Sequence, residues 1–201
     1  MEKEYYKETN YRDYLYSGVI GFLMRWQHRL LSPNIYNNCE KVLEIGPGYE
    51  PHIKYKKINY KEYYCLELDS NLNHKEYYNN YFPDVIFKTY DGKKLDFPEN
   101  FFDRIVISHT LEHIPDFESF LNEMMRVLKK GCVISIASPC DNGFLWRLGR
   151  FFLKKTYHKI KKTPEIEYDY YMAKEHINTI FQIISILKKN FNIQSEIFLP
   201  L

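Results

Sequence analysis

The chain has 201 residues, 45% of them apolar, and its 28 Lys and Arg residues nearly balance 26 Asp and Glu residues. A chain of this size can bury a sizeable core as one domain, which argues against a large multidomain assembly. The net charge of +2 is too small to indicate a nucleic-acid-binding protein. We therefore expect a single domain over residues 1–201 and no nucleic-acid partner.

Neither a membrane span nor a secretion signal is evident. Every apolar run is far shorter than the roughly 20 residues that a membrane-spanning helix needs. The N-terminus is acidic and aromatic, where a signal peptide would be basic and then apolar. The four cysteines lack CxxC spacing, so we expect buried, reduced thiols and no metal site. These features predict a cytoplasmic protein.

Residues 1–40 are predicted to form a helical preface. Apolar residues recur at three- and four-residue spacing from Val19 to Leu31, including Phe22 and Trp26. This periodicity predicts an amphipathic helix that ends at Ser32-Pro33. The basic or titratable residues between the apolar positions are Arg25, His28 and Arg29.

From residue 41 onward, short apolar runs alternate with stretches of ten or more residues, which is the rhythm of an α/β fold. The runs are rich in Val, Ile and Leu, as expected for strands covered on both faces. The predicted strands are Lys41–Ile45, Tyr63–Leu68, Val85–Thr89, Arg104–Ser108 and Val133–Ala137.

Two later segments have helical periodicity. Phe117–Lys129 follows Pro115-Asp116 and has a basic last turn before Gly131, all of which favour a helix over this range. A second helix is predicted from about Ala173 to Lys189, and Phe191–Phe198 is predicted to be a further strand. The apolar face of the second helix comprises Ile177, Ile180, Phe181, Ile184 and Leu187.

The strongest local motif is VLEIGPGYE at residues 42–50, a buried strand followed by a glycine-containing turn. Gly46 and Gly48 lack side chains at the point where a nucleoside could approach the carboxyl end of the strand. A tight turn that binds nothing is the alternative. About twenty residues later, Glu67 ends the second strand and could accept both ribose hydroxyls, while Asp69 could instead cap the next turn. Asp91, after the third strand, could accept from an exocyclic amino group.

Four segments resemble, in order and spacing, the class I S-adenosylmethionine-dependent methyltransferases of the small type 11 group. They are VLEIGPGYE, YYCLELD, YDGKKLDFPENFFDRIVISHTLEHI and FLNEMMRVLKKGCVISIASP, and they cover residues 41–139. The resemblance implies a Rossmann-like three-layer sandwich with a mostly parallel central sheet and an N-terminal helical extension. It also implies S-adenosyl-L-methionine as cofactor and residues 41–139 as the cofactor-binding core.

The resemblance assigns roles residue by residue. The turn from Gly46 to Gly48 would lie against the methionine and ribose of the cofactor, with Glu44 in the hydrogen-bond network of that loop. Glu67 would hold the ribose. The remaining implied contacts are Asp91 and the Gly92 backbone for adenine, and Ser108 and His109 for the face where the methyl group is transferred.

The chain also departs from the family pattern. Glu50 stands where a small residue is usual, so a ligand contact cannot be assumed there. The family usually ends with a sixth strand and an antiparallel seventh, whereas this sequence stops near Phe198. We therefore expect residues 173–201 to hold an incomplete C-terminal hairpin, either because the last strand is absent or because the chain is truncated.

Methyl transfer depends mainly on positioning, so a general base is optional. His109 and His176 are the candidate bases for an acceptor that must lose a proton. A structural role is equally open for His109, and N-terminal capping of a helix is equally open for His176. His113 is favoured as a residue that orders the turn before Pro115.

A basic amphipathic stretch over residues 144–162 lies in a lid-like insertion, residues 140–172. It could contact an anionic membrane surface, bind a phosphorylated substrate, or form the solvated face of an ordinary lid helix. We expect a methyltransferase acting on a small-molecule or glycan-like acceptor, which could carry phosphate. The alternatives are a non-catalytic methyltransferase-like binding or membrane-associated protein and, less favoured because GPGYE lacks a third glycine, a nicotinamide-dependent oxidoreductase.

Overall fold

The fold was obtained as a computed structural model that describes residues 16–31, 38–55, 59–68, 74–140, 151, 170 and 173–198. The strands are β1 (Asn38–Ile45), β2 (Asn59–Leu68), β3 (Val85–Tyr90), β4 (Phe102–Ser108) and β5 (Leu128–Ala137). The main α-helices of the described residues are α1 (Gly18–Leu30), α2 (His74–Tyr81), α3 (Phe117–Val127) and α4 (Ile180–Asn190). Single 3₁₀ turns occur at His52–Lys54 and Leu111–His113.

The five strands form one sheet in the order β3-β2-β1-β4-β5, and all four pairings are parallel. The chain runs outward from β1 to β3 and then returns to β4 on the other side of β1. A crevice therefore opens between the carboxyl ends of β1 and β4, which is where open parallel sheets bind ligands. The five predicted strands are confirmed, and each extends at one end beyond its predicted range.

The alternation of side chains along β1 gives the sheet two buried faces. Leu43 and Ile45 pack in a core with α3 and α4, while Val42 packs on the opposite face with Leu31 and with Tyr78 of α2. Helical segments thus cover both faces, because a strand places successive side chains on opposite sides. The predicted Rossmann-like three-layer sandwich is confirmed.

Helix α1 is present as predicted, but part of its predicted apolar face is exposed. Phe22 is 58% exposed and Trp26 39% exposed, whereas Gln27 and His28 are buried. The reason is a set of polar and aromatic partners beneath the helix: His28 stacks on Tyr55 with ring centroids 4.7 Å apart. A periodic pattern of apolar residues does not detect polar interactions of this kind.

Helix α3 ends earlier than predicted. It stops at Val127, and Leu128 is already extended at the start of β5, so the predicted basic last turn and glycine stop lie within a strand. Residues outside the helix satisfy its final carbonyls, because the backbone amides of Asn100 and Phe101 donate to the carbonyl oxygens of Arg126 and Val127. This pairing replaces a glycine cap and leads the chain directly into the sheet.

The C-terminal segment differs most from expectation. The helix predicted from Ala173 to Lys189 is interrupted at residues 176–179, and α4 begins only after Thr179, which forms a capping box with Gln182. In the predicted apolar face, Ile177 is 51% exposed and Phe181 77% exposed. The interruption arises because Asn178 hydrogen-bonds to the turn after β4.

The strand predicted at Phe191–Phe198 is wrong, since these residues are irregular and none of them joins the sheet that the structure describes. An ion pair of 2.8 Å between Lys188 and Glu196 ties this segment to the end of α4. Within residues 173–198, therefore, no sixth or seventh strand is found.

The basic stretch at residues 144–162 lies outside the described residues, except for Phe151, which is exposed. Among the helices that are described, none is long and apolar enough to cross a membrane. Burial of all four cysteines was expected, but only Cys65 is buried; Cys39, Cys132 and Cys140 are partly exposed. Cys39 lies near the start of β1, Cys132 lies within the edge strand β5, and Cys140 follows that strand.

Candidate functional site

The glycine-containing turn after β1 has left-handed backbone at Gly46, with φ 67°, and at Gly48, with φ 57°. Glycine adopts such angles without the steric cost that a Cβ imposes. A Cβ built on Gly48 meets no heavy atom of the described residues within 4 Å. This side of the turn therefore faces open space at the carboxyl end of β1.

Gly46 has the opposite environment. A Cβ at Gly46 would lie 2.5 Å from Oγ1 of Thr110 and 2.7 Å from its Cγ2. The Thr110 hydroxyl is also 3.3 Å from the Ile45 carbonyl oxygen, to which it can donate. Gly46 thus allows the turn after β1 to pack directly against the chain leaving β4. Sequence reasoning missed Thr110, because nothing in its local pattern signals this contact.

Glu67 lies at the end of β2 and is 4% exposed. Its Oε1 accepts a hydrogen bond of 2.5 Å from the backbone amide of Gly48. Helix α2 supports the same turn from outside, because the Tyr78 hydroxyl donates to the Gly48 carbonyl oxygen at 2.9 Å. The structure therefore brings the predicted ribose-binding carboxylate and the predicted glycine turn into direct contact.

Glu44 lies on the same face of the sheet as Val42 and Tyr63, where it is 1% exposed. Both carboxylate oxygens lie within 3.0 Å of the His52 amide, and the Tyr63 hydroxyl donates to Oε2 at 2.7 Å. Burial raises the pKa of Glu44 to about 7, although these two donors act in the opposite direction. Glu44 therefore holds the His52–Lys54 turn against the sheet.

Asp91 and Gly92 follow β3, whose last residue, Tyr90, pairs with Leu68 of β2. Asp91 is exposed, and its Oδ1 accepts from the amides of Lys93 at 2.9 Å and Lys94 at 3.3 Å. These backbone donors lower the pKa of Asp91. The register places Asp91 beside the end of β2, on the edge that Glu67 occupies, and one carboxylate oxygen orders its own turn.

Ser108 ends β4, and His109 follows it in a left-handed conformation with φ 53°. Both are joined to α1 by Gln27, whose side-chain amide lies 2.9 Å from Nε2 of His109 and 3.3 Å from Oγ of Ser108. A left-handed non-glycine residue is strained and occurs often at functional sites. Gln27 was not singled out from the sequence, because it lies among basic residues on a helix whose packed face was misread.

Three further groups lie next to His109 in the 3₁₀ turn after β4 and in the segment before α4. Glu112 is 2% exposed, and its Oε1 lies 3.8 Å from Nδ1 of His109 and 3.9 Å from Nε2 of His113. His176 packs edge-on against His113, with ring centroids 5.0 Å apart. His176 does not cap α4, since Thr179 occupies the N-cap position. The importance of Glu112 was not recognised from the sequence.

The comparisons with known proteins agree with this architecture. Residues 43–136 match the family described as "Methyltransferase domain". A SAM-dependent methyltransferase structure from Thermotoga maritima superposes with a TM-score of 0.61 over 94% of this chain and 76% of that chain. The two sequences are 19% identical, so this likeness concerns the fold.

Curated relatives match a shorter part of the chain. A demethylmenaquinone methyltransferase of Corynebacterium urealyticum is 32% identical over 108 residues, which are 52% of this chain and 45% of the relative. Another, from Corynebacterium glutamicum strain R, is 45% identical over 47 residues, 23% of this chain and 20% of the relative. The chain thus spans less than half the length of these relatives. The fold and the match of residues 43–136 to the methyltransferase domain family support the resemblance of this chain to the class I S-adenosylmethionine-dependent methyltransferases.

Proposed function

We propose that this domain binds S-adenosylmethionine and transfers its methyl group to a small-molecule acceptor. The observation that carries the proposal is the contact between Glu67 and Gly48 at the carboxyl edge of the sheet. It combines an oriented carboxylate with a turn whose backbone is accessible, and these are the two features that a nucleoside needs to bind at this edge.

The residues present fit the proposed cofactor. The open side of Gly48 leaves room for a ligand against the backbone, and the second oxygen of Glu67 is suited to a ribose hydroxyl. Asp91 and the Gly92 backbone, beside the end of β2, would meet the adenine. When bound, S-adenosylmethionine supplies a methyl group activated by a sulfonium. The remaining requirements of the reaction are that the acceptor is positioned and, where necessary, deprotonated.

The acceptor must be held in line and must lose a proton if it is an alcohol or an ammonium. Its lone pair forms the new bond to carbon while the carbon–sulfur bond breaks with its electrons going to sulfur. His109, at the end of β4, is our candidate for the group that takes the proton, with its orientation set by Gln27. His176 is the alternative base on the same side of the site.

Two observations bear on the acceptor class. The curated relatives are named for demethylmenaquinone, a small molecule, and that supports the small-molecule class in general. A glycan-like or phosphate-bearing acceptor fits the basic residues of the 144–162 stretch. We also propose that this stretch contacts a membrane surface, because an apolar acceptor would partition into the membrane.

Calorimetric titration of the purified chain with S-adenosylhomocysteine tests the cofactor, with NADH as the control. Micromolar binding of S-adenosylhomocysteine alone would support the proposal. Binding of NADH alone would overturn it in favour of a nicotinamide-dependent enzyme. If neither ligand binds, the non-catalytic alternative replaces it. A transfer assay with methyl-labelled S-adenosylmethionine, comparing quinone-type with phosphorylated sugar acceptors, then tests the acceptor class.

A further inference from the structure

The side chains of Glu112, His113 and His176 converge beside the carboxyl end of β4. Each offers one potential ligand atom, and these three atoms lie within 4.8 Å of one another. Glu112 is buried at 2% exposure, while the two histidines are half-buried. A carboxylate and two imidazoles, gathered at the rim of the proposed acceptor site, form a donor set typical of transition-metal ions.

The hydrogen bond of His113 to the backbone sets the tautomer of its neutral ring. Its Nδ1 lies 2.9 Å from the carbonyl oxygen of Glu175, and a carbonyl oxygen can only accept, so Nδ1 carries the hydrogen. In the neutral ring the lone pair is then on Nε2, which lies 3.9 Å from Oε1 of Glu112. The Nε2 lone pair and the carboxylate oxygen can both coordinate one cation placed between them.

The same contact is a recurrent feature of metal-binding histidines, which donate their second ring N–H to a backbone carbonyl or a carboxylate. That hydrogen bond fixes the tautomer and orients the nitrogen that binds the metal. Glu112 is oriented as well, since the Ser138 hydroxyl lies 3.4 Å from its other oxygen, Oε2.

The backbone holds the distant His176 in place. The amides of Ile177 and Asn178 donate to the carbonyl oxygen of Glu112 at 2.8 and 3.1 Å. The Asn178 side chain donates to the carbonyl oxygens of Leu111 and Ile114 at 2.9 and 2.6 Å. These four bonds interrupt the predicted helix and bring residue 176 to the turn that carries Glu112 and His113. The Thr179–Gln182 capping box marks the restart of the helix, and the interruption before it lets the three ligand atoms converge.

We propose that Glu112, His113 and His176 bind a divalent transition-metal ion of the Zn²⁺ type. Nitrogen donors disfavour Mg²⁺ and Ca²⁺, which prefer oxygen. Donor atoms around tetrahedral zinc lie about 3.3 Å apart, given bonds of about 2.0 Å, so the three groups close by roughly 1.5 Å or less on binding. Three protein ligands leave a position open. Resting on the proposed function, that position takes an acceptor oxygen and makes its proton easier to remove.

The test is titration of the chelator-treated full chain with Co²⁺, followed by displacement with Zn²⁺. We expect one ion per chain, a visible Co²⁺ spectrum of nitrogen and oxygen ligation, and micromolar affinity. Replacing His176 with Asn should weaken binding at least tenfold, because one of three ligands is lost. Glu112→Gln should do the same. The matched control is Glu118→Gln, an exposed carboxylate on α3, which should leave the affinity unchanged.

Thiols are the main rival ligands, since Cys39 and Cys132 are partly exposed and close enough to interact electrostatically. The titration is therefore repeated in a Cys39→Ser, Cys132→Ser double variant, where binding should persist. A thiolate-to-cobalt charge-transfer band that disappears in this variant, together with all binding, would overturn the inference. Unchanged affinity in His176→Asn and Glu112→Gln would also overturn it.

Two further readouts keep the result interpretable. Circular dichroism checks that each variant is folded, and His176 is the safer position, because it lies outside a helix and is half-buried. Titration with S-adenosylhomocysteine in metal-free buffer tests the proposed function separately. Cofactor binding without metal binding overturns only the metal site, and metal binding without cofactor binding overturns only the proposed function.

Discussion

The backbone amide of Gly48 donates a hydrogen bond to Oε1 of Glu67 across 2.5 Å. This bond joins the turn after β1 to the end of the neighbouring strand β2. It orients a carboxylate that is only 4% exposed, so one oxygen is already committed to the protein. The binding edge is thereby organised in advance, which reduces the conformational entropy that a ligand must overcome.

Replacing Glu67 with Ala should weaken S-adenosylhomocysteine binding more than tenfold. The variant loses the proposed ribose hydrogen bonds and also releases the Gly48 turn. Glu67→Gln should lose less, because its amide oxygen can still accept from Gly48. Calorimetry gives both affinities, with Glu76→Ala, an exposed carboxylate on α2, as the control. If Glu67→Ala binds as the wild type does, Glu67 is not part of the cofactor site.

The strands and the glycine turn were predictable because their signals are local. Each strand is a run of apolar residues, and in Gly46 and Gly48 the need for left-handed backbone coincides with the residue type that tolerates it. Glu67 was predictable from its spacing to that turn. These features depend on neighbours in the sequence or on the regular geometry of a parallel sheet.

The misread features depend on distant partners. Gln27 reaches His109 across 82 positions of sequence, and Asn178 reaches Leu111 across 67. Neither contact leaves a periodic trace, since a single polar side chain decides it. The same is true of the end of α3, where the amides of Asn100 and Phe101 donate to the last carbonyl oxygens. The local basic turn and glycine predicted a later end for this helix.

Gly46→Ala should be more destabilising than Gly48→Ala. Both substitutions place a Cβ on left-handed backbone, which costs roughly 1–2 kcal/mol. At Gly46 the Cβ also meets Thr110 at 2.5 Å, and overpacking of this kind adds about 1–3 kcal/mol. Urea denaturation of the two variants measures the difference. Equal losses of stability at the two positions would contradict the packing described here.

A double-mutant cycle separates the two costs at Gly46. Thr110→Ala removes the Oγ1 and Cγ2 atoms that crowd the new Cβ and retains Cβ of residue 110, at 3.2 Å. Gly46→Ala should therefore cost less in the Thr110→Ala background, by about 1 kcal/mol or more. The backbone cost should remain. Strict additivity of the two substitutions would show that Thr110 is not the obstructing side chain.

Stability should depend on pH through Glu44. Burial raises the pKa of its carboxyl from 4.5 to about 7, so between these values the folded state binds more protons than the unfolded state. The contribution of Glu44 is therefore fully present below about pH 4.5 and is lost as pH rises to about 7. The buried ring of His28, whose pKa is lowered to about 4, acts in the opposite direction between pH 4 and 6.5.

Comparison with Glu44→Gln isolates this effect, because His28 is present in both proteins. The wild type should lose stability relative to the variant as pH rises from 4.5 to 7, with a slope approaching about 1.4 kcal/mol per pH unit at most. Gln retains an oxygen that can accept from Tyr63 or His52. Urea denaturation across this pH range measures the difference. A difference that is constant with pH would show that Glu44 does not titrate there.

Asn178→Ala should loosen the junction between α4 and the turn after β4. The side-chain amide donates to the carbonyl oxygens of Leu111 and Ile114 at 2.9 and 2.6 Å, and its loss leaves two carbonyls without these donors at a cost of about 1–3 kcal/mol. The matched control is Asn190→Ala, which removes a single exposed bond to Ile186 and should cost less than about 0.5 kcal/mol. Thermal unfolding gives both values.

Hydrogen exchange should report faster opening at the amide of Ile177, which donates to Glu112, in the Asn178→Ala variant alone. Equal exchange in the two variants would mean that the backbone bonds to Glu112 hold the junction by themselves, and that the position of His176 does not depend on the Asn178 side chain.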